Sequence, residues 1–248
     1  MSKTKIRLYI DTPLQDGVSV SLPEGSSHYL RNVMRARPGN RIAVFNGSDG
    51  EWTAEIASLT KSSGTLDLVD QTLKQDAEPD IWLGFAPLKK TRTDFLVEKA
   101  TELGVTRLLP VFTDYTDTNR VNSERLSAMA VEAAEQCRRL SVPVVKKAVA
   151  LSGFLENWPS DRMLFVPDET GGGQALVEVL SQKQGKRQSS GFLIGPEGGF
   201  SPSELDVFEE LPFVTRVGLG PRILRAETAA ITALSCWQAL IGDGNELP

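Results

Sequence analysis

Hydrophobic and polar positions alternate in short runs over the first third of the chain. Such alternation, rich in β-branched side chains, predicts half-buried strands, and turn clusters such as Asn-Gly-Ser-Asp-Gly at 46–50 separate them. The predicted strands are 7–10, 18–22, 41–45, 51–59 and 64–73. One helical insert is predicted at 28–34, before the helix-breaking pair Pro38-Gly39. Together these elements predict a small β-barrel.

The pattern changes after the polar, proline-containing segment 74–80. From there, apolar runs that fit buried strands alternate with stretches of helical period, which is typical of a parallel α/β sheet. The predicted strands are 81–86, 107–112, 144–148, 163–166, 191–194 and 214–219, and the predicted helices are 93–103, 123–140, 174–184, 202–211 and 227–241. A boundary at the polar segment divides the chain into domains at 1–73 and 74–248.

Composition and charge restrict the possible functions. With 40% hydrophobic and 24% charged residues, the 248-residue chain can bury a substantial core. A net charge of −5 argues against a broad basic surface that coats nucleic acid, so any RNA site must be a local patch. The start of the sequence has no apolar signal region, and no apolar run approaches the roughly 20 residues that span a bilayer. We therefore expect a cytoplasmic protein without membrane contact.

Several enzyme classes lack a required part in this sequence. His28 is the only histidine, and the chain contains no G-x-S-x-G, G-x-x-x-x-G-K-[ST] or H-E-x-x-H motif, which excludes a Ser-His-Asp hydrolase, a P-loop ATPase and a zincin. Cys137 and Cys236 show no metal-ligand spacing, so we expect buried reduced thiols and no metal site.

The segment 193–204, LIGPEGGFSPSE, predicts a strand that runs into a glycine-rich turn and then a helix. Ser201 fits the helix N-cap, Pro202 the first helical position and Glu204 a capping box. The glycines allow the backbone to approach a ligand at the carboxyl end of a strand, where α/β sheets bind their ligands. The alternative is a tight turn with no ligand.

A second loop of the same design lies at 218–230, GLGPRILRAETAA. A strand ends in Gly-x-Gly-Pro, two arginines follow, and Glu227-Thr228 opens an alanine-rich helix, where a carboxylate suits the helix dipole. The two loops converge if their strands are neighbours. Without a partner loop, the arginines are equally well explained as surface charges.

The two motifs in this order resemble the signature of the RsmE family of SPOUT methyltransferases. The resemblance extends to 28–45, 85–105 and 132–143, so matched segments span most of the chain. It implies methylation of N3 of a uridine in 16S rRNA of the small ribosomal subunit, with S-adenosyl-L-methionine (SAM) as the methyl donor. It also implies a C-terminal parallel sheet with a trefoil knot, a PUA-like N-terminal barrel and a homodimer through the knot domain.

The resemblance carries cofactor contacts onto three loops. They comprise Val166 and Pro167 in one loop, Gly195, Glu197, Gly198 and Gly199 in another, and Leu219, Gly220, Arg222, Ile223 and Leu224 in the third. Arg225, and less directly Arg222, would stabilise charge that develops on the uracil oxygens. Glu227 or Glu197 would act as base, unless either only caps a helix or binds ribose.

An acid-free run of eleven residues, 31–41, contains the candidate RNA site. Arg31 and Arg35 are spaced i,i+4 and are predicted to share a helix face, and Arg37 and Arg41 follow them. Lys89 and Arg92 are predicted to continue this phosphate-binding patch, which complements the substrate that the resemblance implies. Without that resemblance, a solvated charged face is the better interpretation.

Two positions depart from the family pattern. Asp114-Tyr115-Thr116 stands where the family commonly has Glu-Arg-[ST], so no arginine role transfers there, and Lys90 stands where the family often has glycine. One alternative function is a catalytically inactive RNA-binding factor for ribosome assembly, which the intact glycine loops disfavour. Another, a dinucleotide-dependent oxidoreductase, lacks the G-x-G-x-x-G fingerprint.

Overall fold

The computed structural model describes residues 6–23, 25–183 and 189–246, which form two compact units. One unit comprises the residues up to Ala77 together with Ala134–Val142, and the other comprises Glu78–Ala133 and the residues from Pro143 onward. Among the described residues, no helix combines the length and apolar character needed to cross a membrane.

The first unit is a five-stranded sheet. Its strands are β1 (Arg7–Tyr9), β2 (Ser19–Ser21), β3 (Arg41–Phe45), β4 (Glu51–Leu59) and β5 (Gly64–Leu73). The strand order is β1-β3-β4-β5-β2, in which β1 runs parallel to β3 and the other pairs are antiparallel. The predicted strands are confirmed, β1 and β2 being shorter than expected.

Alternation along β4 builds the core of this unit. Trp52, Ala54 and Ile56 are buried, while the residues between them are partly exposed. Their side chains pack with those of neighbouring strands, including Ile42 and Leu66. Register shifts in the β4–β5 pairing mark bulges, which bend strands and increase twist. The predicted barrel is therefore a curled sheet that has β1 and β2 at its edges.

The helical insert of the first unit begins as α1 (Ser26–His28) and continues as a π-helical turn at Tyr29–Val33. Leu30 is fully buried in the core of the sheet, which anchors the insert. The predicted shared helix face of Arg31 and Arg35 is wrong, because the helix ends at Val33 and Arg35 has a left-handed backbone with φ 54°. The i,i+4 rule therefore does not apply to this pair.

The second unit contains a parallel sheet. Its strands are β6 (Ile81–Phe85), β7 (Arg107–Phe112), β8 (Val144–Val145), β9 (Val149–Ala150), β10 (Met163–Pro167), β11 (Gln174–Ala175), β12 (Ser190–Ile194) and β13 (Val214–Gly218). The order is β11-β13-β10-β12-β6-β7-β8, with β9 also paired to β7. Every pairing in this sheet is parallel, as predicted.

Helices connect these strands. They are α2 (Lys90–Glu102), α3 (Ser123–Cys137), α4 (Leu151–Glu156), α5 (Leu176–Ser181), α6 (Pro202–Glu210) and α7 (Ala226–Leu240). Phe154 of α4 and Phe208 of α6 pack on Leu164 and Leu193 of the sheet, whereas α7 packs against β12, α2 and α5.

Some predicted elements are corrected. Of the strand predicted at 144–148, only the first two residues form a strand, β8, while β9 begins after the predicted end; α4 was not predicted. The helix predicted at 174–184 begins only at Leu176, because 174–175 form β11; the final predicted residue, Gln184, lies outside the described residues. Cys137 and Cys236 are both free thiols, but each is half-buried rather than buried as predicted.

Arg7 fastens the end of α3 and the loop that follows it to the edge strand β1. Its guanidinium bonds Glu51 at 2.6 Å, donates to the carbonyls of Ala134 and Arg139, and lies 3.8 Å from the centre of the Phe45 ring. The side chain is only 8% exposed, so these bonds are shielded from water. They account for the grouping of 134–142 with the first unit, for which the sequence pattern gave no sign.

We expect Arg7→Ala to lower the free energy of unfolding by about 2–4 kcal/mol, because it removes the guanidinium that pairs with a partly buried carboxylate and donates to two carbonyls. Urea denaturation followed by tryptophan fluorescence measures this loss. Arg41→Ala is the matched control: Arg41 pairs with Glu55 at 3.5 Å, but both side chains are exposed, and we expect a loss below about 1 kcal/mol. Equal losses in the two variants would contradict the special role of Arg7.

Candidate active site

Three loops meet at one edge of the parallel sheet, because they follow the carboxyl ends of β13, β10 and β12. These strands are consecutive in the sheet, with β10 in the middle. The strands of the two glycine-rich loops, β12 and β13, are therefore not direct neighbours, which was the arrangement from which we expected the loops to converge. The loops converge on a shared cavity because each strand flanks β10, whose own loop supplies the third wall.

The cavity between the three loops has a volume of about 440 Å³. Most of the residues predicted to bind a cofactor line it: Pro167, Gly195, Glu197, Gly199, Leu219, Gly220, Arg222, Ile223 and Leu224, and Arg225 lines it as well. Phe200, Leu205 and Ala229 add apolar surface. The lining combines apolar side chains and glycine backbone with a few charged groups, which is the usual composition of a small-molecule site.

Two predicted cofactor residues lie elsewhere. The side chain of Val166 is fully buried and packs in the core with Phe208 of α6, so it faces away from the cavity. Gly198 is not among the residues that line the cavity. A Cβ atom at Gly198 would lie 3.3 Å from the Cβ of Tyr115, so this glycine makes room for the tyrosine.

The loop after β12 is fixed by the start of α6, and the predicted capping box is confirmed. The Ser201 hydroxyl accepts from the N–H of Glu204, the Glu204 carboxylate accepts from the N–H of Ser201, and Pro202 opens the helix. The second Glu204 oxygen accepts from the N–H of Asp114 at 2.9 Å, and Ser201 donates to the Asp114 carboxylate at 2.6 Å. This network ties the turn after β7 to the glycine-rich loop.

Glycine is favoured at two positions of that loop. Gly199 has φ +71°, and a Cβ there would lie 2.8 Å from a carboxylate oxygen of Glu169 in the β10 loop. A Cβ at Gly195 would lie 3.0 Å from the ring of Phe200. Larger residues would push these groups out of place, so the glycines allow the cavity walls to approach each other.

The loop after β13 leads into α7, which begins at Ala226 with Arg225 as its N-cap, rather than at the predicted Glu227. Gly220 has φ +105°, and a Cβ there would enter open space. Arg222 and Arg225 are exposed. Among the described residues, neither guanidinium has a carboxylate within 4 Å. Both arginines are therefore available to a ligand.

A buried ion pair that was not predicted shapes the β10 loop. Arg216 of β13 binds the carboxylate of Asp168, which also accepts from the N–H of Thr170 at 2.9 Å. Burial raises the pKa of the Asp168 carboxyl. The hydrogen bonds from Thr170 and Arg216 and the charge of Arg216 together lower it by more, so the pKa lies below its ordinary value. The ionised pair therefore links two of the cavity walls.

Arg92, predicted to bind RNA, lies beside the cavity loops instead of standing free. Its guanidinium lies 3.0 Å from Glu197 of the β12 loop and 3.7 Å from Glu227 of α7. The other carboxylate oxygen of Glu227 is buried and has no hydrogen-bond partner in the described part of the chain. Lys89, by contrast, is exposed at the N-cap position of α2. Arg92 therefore links α2 to two elements of the site.

The remaining predicted RNA residues gather in the first unit. Arg31, Arg35 and Arg37 line a depression of about 470 Å³ together with Ala36, Pro38 and Leu59. Among the described residues, no acidic side chain lines it. Arg41 is not part of this group, because it pairs with Glu55. The three arginines thus line one depression, although Arg31 and Arg35 do not share a helix face.

These features define what the sites can do chemically. The cavity between the loops can hold a flat, largely apolar ligand by backbone and apolar contacts, beside two guanidinium groups that are free to bind developing negative charge. The arginine-lined depression can bind phosphate. Residues 6–23, 25–183 and 189–246 contain no cluster of His, Cys, Asp and Glu that could hold a metal ion.

Two family models of known proteins match separate parts of the chain. A family model for an RNA methyltransferase domain matches residues 74–238, and one for an RNA methyltransferase PUA domain matches residues 22–69. The chain is 30% identical over 92% of its length to ribosomal RNA small subunit methyltransferase E of Rickettsia conorii, of which it covers 93%.

Two solved structures with bound SAM have the same fold. The chain matches the methyltransferase E of Neisseria gonorrhoeae with a TM-score of 0.85 and 29% identity, covering 96% of this chain and 98% of that one. It matches a Legionella pneumophila methyltransferase with a TM-score of 0.84 and 28% identity, with the same coverage. The family models and the full-length similarity together identify the chain as a member of the RsmE family of ribosomal RNA small subunit methyltransferases.

Proposed function

We propose that this protein transfers a methyl group from SAM to N3 of a uridine in 16S rRNA of the small ribosomal subunit. The observation that carries the proposal is the cavity at the ends of β10, β12 and β13, where glycine backbone and apolar groups lie beside two arginines that have no carboxylate partner among the described residues. Membership in the RsmE family and the SAM-bound relatives support the choice of methyl donor and RNA class.

The residues of the cavity fit SAM. Its volume of about 440 Å³ lies in the range of small-molecule sites. In the proposal, Gly195, Gly199 and Gly220 approach the adenosine through their backbone, with Leu219, Ile223 and Leu224 as apolar contacts. In the described part of the chain, no backbone carbonyl accepts from the N–H groups of residues 222–224, so these groups are available to the ligand. Val166 would contribute through its backbone only.

Methylation of uracil N3 requires the loss of a proton from a nitrogen that is protonated at neutral pH. When bound, SAM supplies an electrophilic methyl group. Arg225 and Arg222 would bind the uracil carbonyl oxygens and stabilise the negative charge that spreads onto them as N3 loses its proton. In the part of the chain that the structure describes, neither arginine has a carboxylate partner, which favours this role because a paired guanidinium would first have to leave its partner.

The identity of a base follows from different constraints. Glu197 and Glu227 both contact Arg92, so either carboxylate must share that arginine while it accepts a proton. Glu197 lines the cavity directly and is the more exposed of the two. Glu227 does not line the cavity, but its second oxygen is buried without a donor in the described structure. We therefore propose that one of these two carboxylates acts as the base and that the other binds ribose or caps the helix.

RNA would bind the first unit at Arg31, Arg35 and Arg37, which line one depression where the described residues include no acid. Lys89, which is exposed at the N-cap of α2, is proposed as a separate RNA contact of the second unit. The proposal also includes the trefoil knot, a homodimer through the knot domain and a cytoplasmic location. Ile223, which is 80% exposed at the rim of the cavity, supports a ligand or a partner subunit that covers this rim.

Mass spectrometry of nucleosides tests the function directly. Small subunits from a strain that lacks this protein are incubated with the purified protein and SAM carrying a deuterated methyl group. We expect deuterated 3-methyluridine in 16S rRNA. A deuterated methyl group on another nucleoside would keep the methyltransferase class and refute N3 of uridine, and binding without transfer would favour the inactive assembly factor.

We expect Arg225→Ala to reduce turnover by about 100-fold or more, the usual cost of one lost oxyanion donor. SAM affinity should change little, because the contact is made to the nucleobase as charge develops. Lysine should restore activity only in part, since it lacks the planar fork of arginine. Arg120→Ala, at an exposed arginine that does not line the cavity, is the control. Loss of SAM binding in the Arg225 variant would instead indicate a structural role.

The double variant Arg31→Ala with Arg35→Ala should weaken RNA binding and reduce the slope of log affinity against log salt by about one unit for each lost phosphate contact. Lys61→Ala with Lys74→Ala removes the same charge from exposed positions of the same unit and should alter the slope less. Fluorescence anisotropy over a salt series measures both variants. Equal slopes would make Arg31 and Arg35 ordinary surface charges.

A further inference from the structure

Tyr115 lies in the turn after β7 and against the glycine-rich loop of the site. Its Cβ, Cγ and Cδ2 atoms lie 3.3 to 3.7 Å from the position of a Cβ at Gly198. The residues on either side of Gly198, Glu197 and Gly199, both line the cavity. Tyr115 does not line the cavity itself, but it lies against Gly198, which connects two residues of the cavity wall.

The backbone that carries Tyr115 is held on both sides. The hydroxyl of Thr116 accepts from the N–H of Thr113 at 3.0 Å, and the N–H of Thr116 donates to the carbonyl of Thr113, which closes the turn. Asp114 bonds the capping residues Ser201 and Glu204 of α6. The turn and the glycine-rich loop therefore form a single hydrogen-bonded structure, in which the base of the tyrosine side chain is fixed.

As a residue, Tyr115 is nevertheless 49% exposed. In the described part of the chain, its hydroxyl makes no hydrogen bond to protein, and no aromatic or cationic side chain stacks on the ring. An exposed aromatic ring on a fixed turn is costly to leave in water and well suited to stacking on another flat group.

We propose that Tyr115 binds the target uridine by stacking its ring on the nucleobase at the mouth of the cavity, an inference that rests on the proposed function. RNA bases that are unpaired for recognition commonly stack on aromatic side chains. A base held there would lie next to the glycine-rich loop.

Three substitutions separate stacking from structural support. Tyr115→Phe keeps the ring, Tyr115→Leu keeps apolar bulk without an aromatic face, and Tyr115→Ala removes both. We expect kcat/KM for RNA to fall by about 10-fold or more in the leucine and alanine variants, because the loss of one stacked ring has about this effect. For phenylalanine, which keeps the ring, kcat/KM should stay within about 3-fold of the wild type. The Kd for SAM should be unchanged in all three.

The exposed aromatic Phe95 of α2 provides the matched control. It is 43% exposed and lies in the same unit, but it does not line the cavity. Phe95→Ala should therefore leave kcat/KM for RNA unchanged. An equal loss in the Phe95 and Tyr115 alanine variants, or a weaker Kd for SAM in Tyr115→Ala, would overturn the proposal.

Photochemical crosslinking gives a readout that does not require turnover. Small subunits are reconstituted with 16S rRNA that carries 5-iodouridine in place of uridine, bound to the protein and irradiated, and the crosslinked peptide is sequenced by mass spectrometry. We expect a crosslink at Tyr115, and its absence would overturn the proposal. Failure of the proposed function is distinguishable, since wild-type protein would then transfer no methyl group whatever the crosslinks show.

Discussion

The carboxyl ends of β13, β10 and β12 meet at one edge of a parallel sheet, and the candidate site exists because three loops must leave the sheet there. Parallel pairing fixes the direction of all three strands, so their loops emerge on the same side. Each strand alone supplies little chemistry. Their adjacency produces a cavity lined by backbone and apolar groups with arginines at its rim, and the proposed cofactor and substrate contacts depend on this arrangement.

Polar side chains then fix the shape of the loops. The Ser201–Glu204 capping box holds the β12 loop and, through Asp114, the turn that carries Tyr115. The Asp168–Arg216 pair joins the β10 loop to β13. These bonds involve partly or fully buried groups, where an unpaired charge would be costly, so they favour one loop arrangement over others. A pre-organised site of this kind spends less binding energy on ordering its own loops.

The sequence predicted those features of the site that depend on residues close together in the chain. It did not predict contacts between residues that are far apart in the chain. The capping box needs only residues 201–204, and its prediction is confirmed. The contact between Arg92 and Glu197 joins residues 105 positions apart, and no periodicity or spacing indicates it. The same holds for residues 134–142, which bind Arg7 far along the chain. The prediction that Arg31 and Arg35 share a helix face was wrong because the i,i+4 rule assumes a regular α-helix. Here a π-helical turn ends at Val33 and Arg35 has a left-handed backbone.

Hydrogen–deuterium exchange with and without SAM tests most directly whether the three loops act together as the cofactor site. Exchange is followed by mass spectrometry on peptides that cover 167–171, 195–200 and 219–225. The account predicts that saturating SAM slows exchange in all three segments at the same ligand concentration, while the strands of the first unit remain unchanged. Protection confined to other segments, or to only one of the three loops, would contradict a site built at the shared edge of β13, β10 and β12.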